Sequence, residues 1–381
     1  MRFSVIASHP VQYQAPLYRA LAACENVEVL VHYGFLPDAV QQGEGFGVGF
    51  QWDLPLLEGY RHEVFFLDGS KAGGGRGLRA VGRLGRSLRA YNPDVIFCTG
   101  WHHPSMVAGL AAAVWSGKPR LLRCEANVLR SRGLGAQIFH RAMLTLYRAV
   151  LPIGQANREY YRAFGVAESR MFDAPYFIDN DRFTEVSSAA DRSALRQRWG
   201  VPQEAFCFLF SGKLEEKKHP LSVVEAMRGL SGAHLLVVGS GPLEGALREA
   251  CRRHGLSFSF TGFLNQSEMP LAYRAADSLV LPSDAGETWG LVVNEAMACG
   301  LPAIVSDRVG CRADLVLEGE TGLSFPFGDL ERLGQQMKSL VAAPARARAM
   351  GAAARERVCR DYSVGRAAAG VMQAAEAVLK K

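Results

Sequence analysis

The feature that most constrains this chain is a repeating beat: a short apolar run, then a longer stretch with helical spacing. Phe3–Ala7, Val27–His32, Glu63–Leu67, Asp94–Cys98, Arg120–Cys124 and Val150–Ile153 read as strands in the first half. Helical patterns are expected between them, at about 16–23, 77–91, 106–115 and on to about 148. The beat pauses at 174–183, APYFIDNDRF, which carries one proline and two aspartates and reads as a link. It then restarts with a helix at 191–199 and strands at Cys207–Phe210, His234–Val238, Phe258–Phe260, Ser278–Leu281 and Ala303–Val305. Strands alternating with helices at this spacing predict an α/β fold with parallel sheets covered on both faces. The boundaries expected are a first domain at 1–175, a second at 176–362, and a last helix within 363–381 that packs back on the first.

In such sheets ligands bind beyond the carboxyl ends of the strands. That directs attention to loops 8–14, 99–105 and 124–132 in the first half, and to the turns after the strands in the second. Residues 34–51 are Gly-rich and polar and read as a mobile loop.

The stretch 283–300, SDAGETWGLVVNEAMACG, follows a strand and turns into a helix. Backbone N–H groups at a helix start suit an anion such as phosphate. Seven residues separate Glu287 from Glu295. Carboxylates accept hydrogen bonds from hydroxyls, so Glu287 suits a sugar hydroxyl, the Thr288–Trp289–Gly290 turn a phosphate, and Glu295 a ribose. The bland alternative is one acid favouring the helix dipole and another that is solvated.

Lys213 and Lys218 lie across a turn after another strand, and two lysines there can neutralise a diphosphate. Gly239, Gly241 and Gly245 follow a strand in a G-x-G-x-x-x-G spacing. This is not the dinucleotide fingerprint, and no acid ends the next strand to hold a ribose, so no nicotinamide cofactor is expected. Small residues there still let a backbone approach a phosphate or sugar. GGGRG at 73–77 lacks the Lys-Ser/Thr and preceding strand of a phosphate loop. Asp179 and Asp181 form a D-x-D in the link, where a turn and helix cap is the favoured reading over a metal site.

His9, His102 and His103 fall in first-half loops and can hydrogen-bond a phosphate or act as a base near neutral pH. Arg123 and Glu125 suit a charged or hydroxylated acceptor, or else form a surface ion pair. Arg76, Arg79, Arg83, Arg86 and Arg89 share much of one helical face. That face is either merely solvated or docks on an anionic membrane surface. Net charge is +6, which fits anionic ligands or such a surface but is too weak to argue for nucleic acid. The eight cysteines are scattered without C-x-x-C, so no disulfide or zinc framework is visible and a reducing, cytoplasmic compartment is expected. No apolar run is as long as a signal peptide or a membrane span requires.

The run E-TWGLVVN-E, then AMACGLPAIVSDRVG, with SGKLEEKKHP, VVGSGP and FTGFL upstream, resembles the retaining, nucleotide-sugar-dependent glycosyltransferases of family 4. The similarity is strong over about 205–325 and weaker before it. The resemblance implies a GT-B fold, two Rossmann-like domains facing each other across a cleft. It implies a sugar moved from a nucleoside-diphosphate sugar to a hydroxyl acceptor, which could be a polysaccharide, a lipid-linked oligosaccharide or a small molecule. It implies Lys213 and Lys218 on the donor diphosphate, Glu287 on donor-sugar hydroxyls, the Thr288–Leu291 backbone over sugar and phosphates, and Glu295 on the ribose. Gly239, Gly241 and Pro242 would line the donor cleft, with Gly262, Phe263 and Leu264 near the base. The family usually has arginine where Lys213 stands. Its Gly-rich loop after the first strand is replaced by SHPVQY, so that His9 or Gln12 would serve in its place. The resemblance places a catalytic or acceptor-side histidine at His103, with His102 the alternative. No metal and no cofactor beyond the co-substrate are expected. A nucleotide-sugar epimerase and a non-catalytic nucleotide-sugar-binding protein are the competing readings.

Overall fold

A computed structural model describes residues 1–66 and 76–380 of the chain. The 73–75 portion of GGGRG and the end of the expected 63–67 strand lie outside the described residues.

Among the described residues, twelve strands form two six-stranded sheets. The first holds β1 (Arg2–Ala7), β2 (Glu28–Tyr33), β3 (Arg61–Val64), β4 (Val95–Cys98), β5 (Arg120–Leu122) and β6 (Ala149–Val150), in the order β3-β2-β1-β4-β5-β6. The second holds β7 (Phe206–Ser211), β8 (Ala233–Val238), β9 (Phe258–Gly262), β10 (Ser278–Leu281), β11 (Ala303–Ser306) and β12 (Gly322–Phe325), in the order β12-β11-β10-β7-β8-β9. Every pairing is parallel. The apolar runs explain this: β4, β7, β8, β10 and β11 are buried along their whole length, as strands covered on both faces must be. In both sheets the strand order reverses beside the first strand, which places a switch point between β1 and β4 and another between β7 and β10.

The chain divides into two compact units: Met1–Asp38 with Leu54–Tyr176 and the helix from Val364, and Ala39–Asp53 with Phe177–Ser363. The helix Val364–Leu379 packs against Ala15–Ala22 of the first unit. Its close approach requires Gly370, where a Cβ would lie 1.9 Å from the Asp173 carbonyl oxygen.

Three expectations change. The edge strand β3 runs Arg61–Val64 rather than 63–67. Gly322–Phe325 forms a sixth strand that its short, glycine-led sequence concealed. Residues 39–53 belong to the second unit and form a closed loop, in which the Phe50 N–H returns to the Ala39 carbonyl at 3.0 Å. In the link, Asp179 caps the helix Asn180–Ala189 by accepting from the Arg182 N–H at 3.2 Å, the cap reading of D-x-D. All eight cysteines are free. Among the described residues no helix is long and apolar enough to cross a membrane.

Candidate functional site

The second unit brings its candidates together at the β7/β10 switch point. β7 ends at Ser211, and the chain turns through Gly212 and Lys213 into a single helical turn, Glu216–Lys218. β10 ends at Leu281 and leads into 283–290. The two loops are tied by the Asp284 N–H, which donates to the Lys217 carbonyl at 3.0 Å. His219 Nε2 lies 3.6 Å from Asp284 Oδ2. The Lys218 ammonium donates to the Glu287 carboxylate, and both side chains are mostly buried. Ser283 Oγ donates to the same carboxylate oxygen at 3.4 Å. A third loop braces the turn from behind. The Gly310 N–H donates to the Glu287 carbonyl at 3.2 Å and the Cys311 N–H to the Trp289 carbonyl at 2.9 Å.

Gly290, at φ +96°, precedes the helix Leu291–Ala298, whose start no side chain caps. Thr288 and Leu291 are half-buried there. Trp289 is a core residue: its Nε1 donates to Asn294 Oδ1 at 2.8 Å, so only its backbone faces the turn. Glu295 is 1% exposed and accepts from the Tyr273 hydroxyl at 2.6 Å. This carboxylate, expected on a ribose, lies buried beneath the turn with the Tyr273 hydroxyl bonded to it.

Gly239 and Gly241 lie beside this turn, where the protein's own packing requires them. A Cβ on Gly239 would meet the Gly212 carbonyl oxygen at 2.0 Å, and one on Gly241 the Leu214 carbonyl oxygen at 2.7 Å. These glycines let two loops of the protein pack together. Pro242 follows and is exposed, while Gly262 (φ +72°), Phe263 and Leu264 leave β9. Lys213 Nζ donates to the Glu44 carbonyl at 2.6 Å and lies 5.0 Å from the Phe46 ring centre.

At the first unit's β1/β4 switch point, Phe35 lies between two histidines, 5.4 Å from His9 and 5.0 Å from His103 by ring centres. Burial, and then the neighbouring His103, push the His9 pKa below the ordinary histidine value; burial does the same to His103. Both are neutral at pH 7. His103 caps the helix Pro104–Trp115: its Nδ1 accepts from the Ser105 N–H at 3.2 Å and lies 2.7 Å from Ser105 Oγ. A neutral imidazole whose Nδ1 is an acceptor carries its proton on Nε2. His103 is therefore set up as a hydrogen-bond donor, whereas a base would need Nε2 bare. His102 is exposed, and Gln12 is half-buried in the loop after β1.

Arg123, expected to reach an acceptor or a surface partner, is instead buried at this strand end, while Glu125 is exposed. Arg123 is 6% exposed, donates to the Ala174 and Pro175 carbonyls at 3.4 Å each, and stacks 4.7 Å from the Tyr176 ring centre. The Tyr176 hydroxyl donates to exposed Glu125. Burial lowers the Arg123 pKa, and Tyr176 and Glu125 oppose that shift. The strand end at 122–124 runs under the 174–176 segment, which the sequence alone could not show.

The reading from sequence missed Ser240, Tyr273, Ser283 and the aromatic residues Phe46 and Phe50. The Phe46, Phe50, Trp52 spacing inside a Gly-rich stretch was the available signal for the last two.

Residues 191–357, which span the whole second-unit site except its 39–53 loop, match the family of glycosyl transferases group 1. A GDP-mannose-dependent alpha-mannosyltransferase of Mycobacterium tuberculosis is 32% identical over 273 residues, which cover 68% of this chain and 67% of that protein. The chain belongs to the group 1 glycosyl transferases. Another member resembles it at 30% identity over 216 residues, 54% of this chain and 56% of the relative. That relative is a GDP-mannose-dependent monoacylated alpha-(1-6)-phosphatidylinositol monomannoside mannosyltransferase of Corynebacterium glutamicum. The chain spans about half the length of the curated relatives it first matches. A solved structure of Anabaena HepE in complex with UDP superimposes with a TM-score of 0.77 at 19% identity, over 98% of this group 1 chain and 99% of HepE. The fold is thus that of the GT-B glycosyltransferases, with two Rossmann-like domains.

Proposed function

We propose that this chain is a retaining, family 4-like glycosyltransferase that moves a sugar from a nucleoside-diphosphate sugar to a hydroxyl acceptor in glycoconjugate synthesis. The observation that carries the reading is the Lys218–Glu287 pair at the β7/β10 switch point, beside an uncapped helix start and Lys213. A cation and a carboxylate held together in a mostly buried turn suit a ligand that is anionic at one end and hydroxylated at the other. The curated relatives include mannosyl- and glucosyltransferases, which favours a hexosyl donor.

In the reaction, the bond between the sugar's anomeric carbon and the diphosphate oxygen breaks, and a bond from that carbon to the acceptor oxygen forms on the same face. The acceptor proton passes to the departing phosphate. Lys213 and Lys218 neutralise charge as it develops on the leaving group, the largest kind of catalytic contribution such a site offers. Glu287 orients the sugar through its hydroxyls and sets the Lys218 ammonium. His103, an Nε2–H donor, binds on the acceptor side. With two lysines on the diphosphate, no metal and no further cofactor is required.

A lipid-linked or polysaccharide acceptor, reached from the inner face of the membrane, fits the surface of the first unit. On the helix Arg76–Tyr91, Arg79, Arg83, Arg86 and Arg89 are exposed while Ala80, Leu84 and Leu88 are buried. Leu134 and Ile138 of another helix are 73% and 62% exposed. Exposed arginines on one helix and exposed apolar side chains on another each suit an anionic lipid surface.

The test is transfer and nucleotide binding together. UDP, GDP and ADP are titrated with and without magnesium, and the matching nucleotide sugars are then supplied with candidate acceptors. Metal-independent binding of one nucleoside diphosphate, and a product with retained anomeric configuration, are expected. Binding of none of the three, or an epimerised donor formed without acceptor, would overturn the reading.

A further inference from the structure

The loop 39–53 lies on the second unit over the same strand ends, and two of its carbonyls engage polar groups of the candidate donor site. Lys213 Nζ donates to the Glu44 carbonyl and Ser240 Oγ to the Phe46 carbonyl, each at 2.6 Å. Phe46 and Phe50 rest on Phe263, with ring centres 5.1 and 4.2 Å apart. The far end is pinned to the same unit, where Asn265 Nδ2 donates to the Gln51 carbonyl at 2.8 Å and the Ser267 N–H to the Asp53 carboxylate at 3.2 Å. The loop passes close over that lysine: a Cβ on Gly45, whose φ is +84°, would lie 2.6 Å from Lys213 Nζ. Phe50 and Phe263 are already in van der Waals contact, so no base fits between them.

We propose that residues 39–53 are a strap that occupies the donor site and is displaced when a nucleoside diphosphate binds. The inference rests on the donor-site reading above. Its chemistry is substitution of like for like. A carbonyl oxygen accepts from an ammonium or hydroxyl as a phosphate oxygen does, but with only partial charge, whereas phosphate makes the stronger, charge-assisted bond. The apolar rings hold the place of a nucleobase. A strap of this kind keeps the cationic turn covered until a ligand with both a base and a diphosphate arrives, and it lowers apparent affinity by the fraction of open molecules. The segment's own closure, from Phe50 N–H to the Ala39 carbonyl, lets it lift as one piece.

The test uses the full chain, intact and as Phe46→Ser with Phe50→Ser. Neither phenylalanine is assigned a part in the reaction. Affinity for UDP, GDP and ADP is measured by calorimetry, and amide hydrogen exchange of 39–53 is followed in the intact protein with and without the nucleotide that binds. Displacement predicts that the double variant binds about tenfold tighter, and that exchange in 39–53 rises on nucleotide addition while exchange in 283–290 falls. Equal or weaker binding by the variant, or slower exchange in 39–53, would overturn the strap and leave the donor site standing. If no nucleoside diphosphate binds to either protein, the donor-site reading falls and the strap inference with it. The exchange measurement on the intact chain decides the matter even if the double variant folds poorly.

Discussion

Lys218 and Glu287 are 69 residues apart in sequence, yet they form one mostly buried ion pair where the sheet order of the second unit reverses. Removing either partner leaves the other charge stranded. Lys218→Ala should lower kcat/KM by 100-fold or more, of the order expected for losing a donor that stabilises a developing anion. Lys218→Arg should retain part of the activity. Equal rates for the alanine variant and the wild type would remove this residue from the reaction.

Glu295 and Tyr273 separate a binding role from a packing role. Glu295→Gln keeps the volume and one acceptor but removes the charge, and should weaken nucleotide binding about tenfold. Tyr273→Phe removes only a hydroxyl donor to a buried carboxylate, so it should cost about 1–3 kcal/mol of stability and leave affinity within a factor of two or so. Calorimetry and thermal melts on both variants distinguish the two. A parallel loss of affinity in both would mean that Glu295 acts only through the fold.

Arg123 should behave as a structural cation. Its guanidinium bonds two backbone carbonyls and stacks on Tyr176 away from solvent. Arg123→Met is expected to lower stability by about 2–4 kcal/mol through carbonyls left unpaired, with acceptor KM unchanged in the folded fraction. An unchanged melting temperature with raised acceptor KM would restore the acceptor role suggested by sequence.

His103→Asn preserves a good helix cap, because asparagine side chains accept from the same backbone N–H. Stability should change little, while transfer should fall on the order of 100-fold through loss of the Nε2–H donor. Because an imidazolium still carries its Nε2–H, the wild-type rate should not fall through loss of that donor as pH drops through the histidine range. A rate that instead rises with pH well above 7 would point to a different titrating group.

Stability itself should fall on mild acidification. His32 sits between Ser4 and Ser87, and His234 between Ser257 and Ser259; burial pushes both down to about 4. The nearby Glu63 opposes the shift at His32, and Arg196 adds to it at His234. A folded pKa below the unfolded value of about 6.5 means the unfolded chain binds more protons in between. Stability is therefore full above pH 6.5 and declines toward pH 4. Melting temperatures across that window should slope downward, and His234→Gln should reduce the slope. A flat profile would mean that these imidazoles are not held neutral.

The sequence by itself determined the α/β class, the parallel sheets and the ends of the strands that carry the second-unit turn. Apolar runs such as Phe206–Phe210 can be satisfied only when covered on both faces, and that physics is local. It also singled out Lys218 and Glu287, because a strand followed by a polar turn and a helix is a local pattern. What only the tertiary structure decided is which groups meet from distant stretches. Arg123 became a core residue because 174–176 passes over it, and Glu295 because Tyr273 lies across from it. Gly239 and Gly241 make room for the backbone at 212–214, which no spacing rule reveals. The loop 39–53 looked mobile because glycine and polar residues dominate it. Phe46 and Phe50 find Phe263 only once the chain has folded, since burial of an aromatic ring depends on what stands opposite it and not on its neighbours in sequence.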